Sequence, residues 1–172
     1  ARVTTRPPAG ITRLNFIDGT PFLLAARTAD AELMRLLASL GADPYLTNED
    51  QSNALMVAAG LGTSAPGEDP GTEAEVLEAV QVALDLGLDI DAVDLKGETA
   101  MHGAAYKHLP RVVTQLADAG ANVDVWNRKN DRDADPLDIA VGMHRGMNIL
   151  SSPATADAIR TAMRTEGIEP RK

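Results

Sequence analysis

Chemistry at a protein site needs a nucleophile, a base or a set of metal ligands, and this chain offers few of the side chains that supply them. There is no cysteine among the 172 residues, which removes thiolate catalysis, disulfide staples and Cys-based zinc or iron–sulfur centres together. The same lack suits a reducing cytosol and an exported chain that needs no staples, so the compartment stays open. Three histidines stand at 102, 108 and 144, with no H-x-x-x-H spacing that would turn two imidazoles toward one metal. Ser39, Ser52, Ser64, Ser151 and Ser152 sit in no nucleophile-elbow context, and the glycines of residues 60 to 71 form no G-x-x-x-x-G-K phosphate cradle. The inventory points away from an enzyme and implies no cofactor.

Charge narrows the partners. The net charge is -9, and residues 49 to 98 hold twelve acids against the single base Lys96, while the remainder carries fifteen bases against thirteen acids. An acidic block of this kind repels phosphate backbones and anionic membrane surfaces, so nucleic acid is not an expected partner. No apolar run approaches the roughly 20 residues that span a bilayer, so membrane insertion is not expected either. The start, ARVTTRPPAG, has neither an initiator methionine nor an apolar signal core, as a cut or processed chain would.

The elements that must position any site are marked by repeated punctuation. Aromatic residues make up 3% of the chain against 44% hydrophobic, which points to a core of Ala, Leu, Val and Met in closely packed helices. Four residues suited to helix N-caps, Thr20, Asn53, Thr99 and Asp135, each precede a short apolar helix: PFLLAA, ALMVAA, AMHGAA and PLDIAV. Pro21 and Pro136 fit the first helical position, where an amide hydrogen has no helical acceptor. Paired alanines at 25 and 26, 58 and 59, and 104 and 105 keep one face of each helix thin enough for close stacking. A second apolar helix follows, with Leu33, Leu36, Leu37 and Leu40 in the first unit and Val112, Val113 and Leu116 in the third at helical spacing. Gly41, Gly87, Gly120 and Gly167 stand where the helix end needs a left-handed residue.

Cap to glycine is 21 residues in the first and third units, glycine to the next cap is 12, and the period is therefore 33. A 33-residue unit of turn, helix, helix and extended hairpin is an ankyrin signature. At residue level DGTPFLLAA, GETAMHGAA and DPLDIA resemble the ankyrin G-x-T-P-L-H-x-A-A segment, and GADP, GLDIDA and GANVDV resemble its G-A-D-V-N-A segment, over about residues 14 to 170. The resemblance implies an all-α ankyrin-repeat solenoid of stacked helix-turn-helix units with β-hairpin-like finger loops. It implies one domain over 1–172, with units at about 18–50, 51–96 with an insertion at 60–75, 97–132, and 133–170 as a C-terminal cap, residues 1–17 being the tail of a preceding hairpin or repeat. It also implies the C-terminal part of a longer array of bacterial type.

Departures from the repeat mark what is individual. The second unit carries 13 extra residues between its helices, in GLGTSAPGEDPGTEAE, and the fourth a comparable excess in GMHRGMNILSSPAT. The two insertions leave on the same edge and bracket YKHLPR, where they could frame a small pocket; the alternative is solvated loop. His108 and His144 fall in the helix-to-helix turns of adjacent units near Glu68, Asp69 and Glu73, which keeps a weak metal or small-ligand site as an alternative function. The third hairpin is three residues longer than the others, in WNRKNDRDADP. The first unit is too apolar for an N-terminal cap, so its face is expected to be covered by residues 1 to 17 or by self-association.

The resemblance also implies roles. His102 takes the position whose imidazole orders the turn through backbone hydrogen bonds. Hairpin tips and first helices line a concave groove that binds a protein partner, with Thr47, Val93 and Trp126 each six residues past a closing glycine. Trp126, the only tryptophan, stands beside Arg128 and Lys129, and Trp and Arg are enriched at interface hot spots. Leu95 and Lys96 on the neighbouring hairpin and Tyr106 and Lys107 at a first-helix end extend that face. The competing reading is that Trp126 folds back on its own hairpin. The competing function is a structural cap or spacer in a longer array.

Overall fold

The structure is a computed structural model that describes residues 14–63, 66–67, 69–142 and 150–171. The described residues form α-helices joined by turns, with no β-strand among them. Four short helices, α1 (Pro21–Arg27), α3 (Ala54–Ala58), α5 (Ala100–Tyr106) and α8 (Pro136–Ala140), form one layer. Four further helices, α2 (Ala31–Ser39), α4 (Glu73–Asp85), α6 (Pro110–Asp118) and α9 (Pro153–Thr165), form the other. Each short helix packs on the longer one that follows it, and each layer runs in chain order, α1 on α3 on α5 on α8 and α2 on α4 on α6 on α9. A single turn of helix, α7 (Val123–Trp126), lies in the third connecting loop.

The expected starts are the observed ones. Thr20 accepts from the Leu23 amide at 3.2 Å, Asn53 from Met56 at 2.9 Å and Asp135 from Asp138 at 2.9 Å, satisfying first-turn donors that have no helical partner. Thr99 is tied to its helix through His102, whose Nδ1 accepts the Thr99 amide at 3.2 Å. The four closing glycines all have positive φ, between 76° and 91°, and end α2, α4, α6 and α9 as left-handed caps.

Close stacking has a measurable cause. Gly103 faces the end of α3 so tightly that a Cβ there would lie 2.6 Å from the Leu61 amide nitrogen and 3.0 Å from the Met56 carbonyl oxygen. Ala25, Ala26, Ala58, Ala59, Ala104 and Ala105 are all buried in the same seam, and the core fills with Leu23, Met34, Leu55, Met101, Leu116, Ile139 and Ile159. At the α1 end, Phe22 and Leu23 are buried, and Leu14 covers the turn at Gly62. Leu33, Leu36 and Leu40 remain exposed along α2, with Leu36 at 52% and Leu40 at 73%. The acidic insertion is fastened at its C-terminal end, since Asp69 takes a half-buried ion pair from Arg27 at 2.7 Å and the Lys107 ammonium donates to the Pro70 carbonyl. His144 and Glu68 lie outside the described residues.

Candidate functional site

The three connecting loops after α2, α4 and α6 are built on one device. Asn48, Asp94 and Asn130 are buried, and each carboxamide or carboxylate accepts backbone amides across a turn: Ser52 on Asn48, Lys96 and Glu98 on Asp94, Arg132 and Ala134 on Asn130, at 2.8 to 3.2 Å. Asn15 does the same for Ile17 at 3.1 Å. An Asx side chain that mimics the backbone in this way lets the chain reverse without a two-stranded ladder. Gln51, Gly97 and Asp133 carry the positive φ of the turn, as Asp18 does before α1. Neighbouring loops are then joined by one backbone bond each: Glu49 N–H to Ile17, Leu95 N–H to Asp50 and Asp131 N–H to Lys96, at 2.8 to 2.9 Å.

Because side chains alternate along these extended tips, the residues flanking each buried Asx residue face outward together. They are Thr47 and Glu49, then Val93 and Leu95, then Lys129 and Asp131. The middle tip alone presents two apolar side chains, Val93 at 48% and Leu95 at 65% exposure. Lys96 is half-buried and pairs with Asp50 of the preceding loop. On the third loop Lys129 is exposed and bonds Asp133 at 3.1 Å, while Arg128 is exposed and its Nε donates to the Asp124 carbonyl at 2.6 Å.

Three residues expected on this face are elsewhere. Trp126 is 2% exposed, with its indole N–H donating to the Ala121 carbonyl at 3.2 Å. The three extra residues of the third loop are accommodated by α7, which begins three residues after Gly120 and turns the indole under the loop. Counted from Gly120, Trp126 matches Thr47 and Val93; counted back from the turn, the matching residue is Lys129. Tyr106 is buried, and its hydroxyl donates to Glu98 Oε1 at 3.0 Å and accepts from Asn130 Nδ2 at 2.9 Å. Lys107 is buried under the insertion, where desolvation and then the Arg27 charge hold its pKa below the usual lysine range. Both sit at the end of α5 that the neighbouring loops cover.

Beneath the face lies a polar layer. Glu98 stands where the other loops have Ser52 and Ala134, and it is buried beside Asp94, which itself takes a hydrogen bond from the Ser52 hydroxyl at 3.0 Å. Burial first, and the Asp94 charge second, push the Glu98 carboxyl up to about 7. Burial likewise raises Asp94 against the pull of its amide donors. A cavity of about 10 Å³, the size of one water, is lined by this pair together with Lys96 and Arg132. His102 orders the third loop: Nδ1 accepts from Thr99, so Nε2 carries the hydrogen and donates to the Arg128 carbonyl at 3.1 Å. Desolvation lowers its pKa to about 4, so it stays neutral. Sequence reading missed Asp94 and Glu98 as a pair. The available signal was an acid in place of Asn in one copy of a repeated turn and of a small residue four positions on.

At the insertion edge, Pro66, Gly67, Asp69, Thr72, Glu73, Glu75, Lys107 and His108 line a cavity of about 570 Å³. Residues 143–149 of the fourth unit's insertion, the other expected wall, lie outside the described residues. The cavity's residues do not gather as ligands, since no group of three or more metal-binding side chains occurs among the described residues. No helix of the described residues is long and apolar enough to cross a membrane.

The chain matches no protein-family model.

Proposed function

We propose that this chain is a non-catalytic protein-binding module of ankyrin type, which holds a partner against its loop tips and the adjoining short helices. Support comes from the 33-residue alternation of caps and glycines, from two layers of helices packed in chain order, and from loops joined tip to tip. The observation that carries the reading is the pair Val93 and Leu95. Two exposed apolar side chains sit at the centre of a row whose other members are polar, held rigid by the buried Asp94 between them. An apolar centre with a polar rim is the layout of a binding hot spot. Lys96, Arg128 and Lys129 supply the cationic side of that rim. The test is affinity capture by the full chain and by a Val93→Ser, Leu95→Ser form: a partner that disappears with the double change, at unaltered melting temperature, supports the reading, and equal capture sinks it.

A second reading, a structural segment within a longer array, is favoured by the exposed stripe on α2. The residues in register with Leu33 one and two units later are Ala79 and Val112, and the first in register with Leu36 is Val82; all three are buried, because the preceding long helix covers them. If covering is the role of this end, fusing one further helix pair before residue 14 raises the melting temperature, and Leu36→Lys cancels the gain. A fusion with no gain excludes it.

A further inference from the structure

Three loops and one helix meet on two acids. From the loop after α2 the Ser52 hydroxyl donates to Asp94 Oδ2 at 3.0 Å, while the Asn130 carboxamide of the loop after α6 and the Tyr106 hydroxyl of α5 both donate to Glu98 Oε1, at 3.1 and 3.0 Å. The middle loop closes on the same two residues, with the Asp94 N–H on the Glu98 carbonyl at 3.0 Å and the Glu98 N–H on Asp94 Oδ1 at 2.9 Å. Both are 6% exposed and line one cavity with room for a single water. Of the two cations on that cavity, Lys96 pairs with Asp50 of the first loop at 2.5 Å, and Arg132 lies 4.0 Å from Asp131 of the third. Their pull toward ionisation is smaller than the opposition from burial and from Asp94, so the Glu98 carboxyl sits at about 7 and loses its proton between pH 6 and 8. Tyr106, raised by burial, stays protonated over that range, and His102, the other titratable side chain at the start of α5, stays neutral. Ionised Glu98 puts two like charges around one water-sized space. Lifting the middle tip relieves this, because it lets solvent reach both carboxylates.

We propose that Asp94 and Glu98 form a proton-operated latch: a proton on Glu98 locks the middle loop to both neighbouring loops and to α5, and its loss frees the tip that carries Val93 and Leu95. A partner seated on that tip is then held more tightly at pH 6 than at pH 8, by up to about ten-fold, the limit that one coupled proton sets over this range. That consequence rests on the reading of the tip as a binding face. The latch itself does not.

Amide hydrogen exchange of the full chain, read by NMR and corrected for intrinsic rates, tests it. The reporters are the two cross-loop amides, Leu95 on the Asp50 carbonyl and Asp131 on the Lys96 carbonyl, with Val113 on the Leu109 carbonyl as the core reference. Protection of Leu95 and Asp131 is expected to fall about ten-fold from pH 6 to pH 8 and, at pH 8, to lie about ten-fold or more below that of Val113, since the tip opens without the core. Glu98→Gln removes the fall. Tyr106→Phe, which takes away a donor that favours the ionised form, moves its midpoint to higher pH. A fall that persists in Glu98→Gln overturns the latch, and so does equal protection of all three amides at pH 8, which would mean that the loop opens only when the chain unfolds. If Glu98→Gln does not fold, a midpoint that stays or drops in Tyr106→Phe overturns it. No partner enters the measurement, so its failure removes the latch and leaves the binding face standing, whereas equal capture by the Val93→Ser, Leu95→Ser form removes the binding face and leaves the latch.

Discussion

The hydroxyl of Tyr106 donates to Oε1 of Glu98 across 3.0 Å of buried space, joining the end of α5 to the loop that precedes it. Asn130 of the following loop donates to the same carboxylate oxygen at 3.1 Å. One glutamate thus ties two successive loops to a helix. The fold also opposes its ionisation.

A pH dependence follows from that opposition. The folded pKa of Glu98, about 7, lies above its ordinary 4.5, so the folded chain binds a proton that the unfolded chain releases. Stability is therefore fullest below pH 4.5 as far as this group is concerned, and it falls as pH rises through 7, by about 3 kcal/mol in all. Glu98→Gln, which keeps an acceptor for Tyr106, should remove this slope and be the more stable form at pH 8. Urea denaturation of both forms at pH 5 and pH 8 measures it; parallel pH profiles would place the charge elsewhere.

Trp126→Ala should unfold the chain more easily by about 3 kcal/mol, in keeping with truncation of a buried aromatic. Leu95→Ala, on an exposed tip, should shift stability by less than about 0.5 kcal/mol. Calorimetric melting of the two forms decides between them. A stable Trp126→Ala would mean that the indole is not part of the core.

Asp135 caps α8 and also receives Arg171 at 2.6 Å, so Asp135→Ala removes a first-turn acceptor and half of a two-carboxylate clamp. A loss of about 1 to 2 kcal/mol is expected. Asp131→Ala touches an exposed carboxylate and should cost almost nothing. Chemical denaturation that finds the two changes equivalent would contradict the start of α8.

At Gly103 a single methyl is enough. Its nearest contacts would be backbone atoms of Leu61 and Met56, which cannot swing aside as a side chain does, so Gly103→Ala should cost about 2 kcal/mol or more. A thermal midpoint unchanged by this substitution would show that α3 and α5 can separate without penalty.

Much of this protein is written locally. The caps at Thr20, Asn53, Thr99 and Asp135 and the closing glycines act within one helical turn, on donors and dihedral angles a few residues away, so their spacing alone fixed where the helices begin and end. The hydrophobic pattern marked the buried face of α6, where Val112, Val113 and Leu116 are covered, but not that of α2, whose Leu33, Leu36 and Leu40 stay exposed. The candidate site was legible only in part. Val93 and Leu95 lie where counting from the glycine puts them, because that loop has the standard length. Trp126 does not, because three added residues wind into α7, and the choice between a longer tip and an extra helical turn depends on whether the indole finds a cavity beside α6 and α9. Glu98 and Asp94 become a strained acidic pair only when stacking removes their water, and Lys107 becomes a buried cation only when the insertion folds over it. Those outcomes depend on contacts between residues more than 30 positions apart, and such contacts belong to the tertiary structure alone.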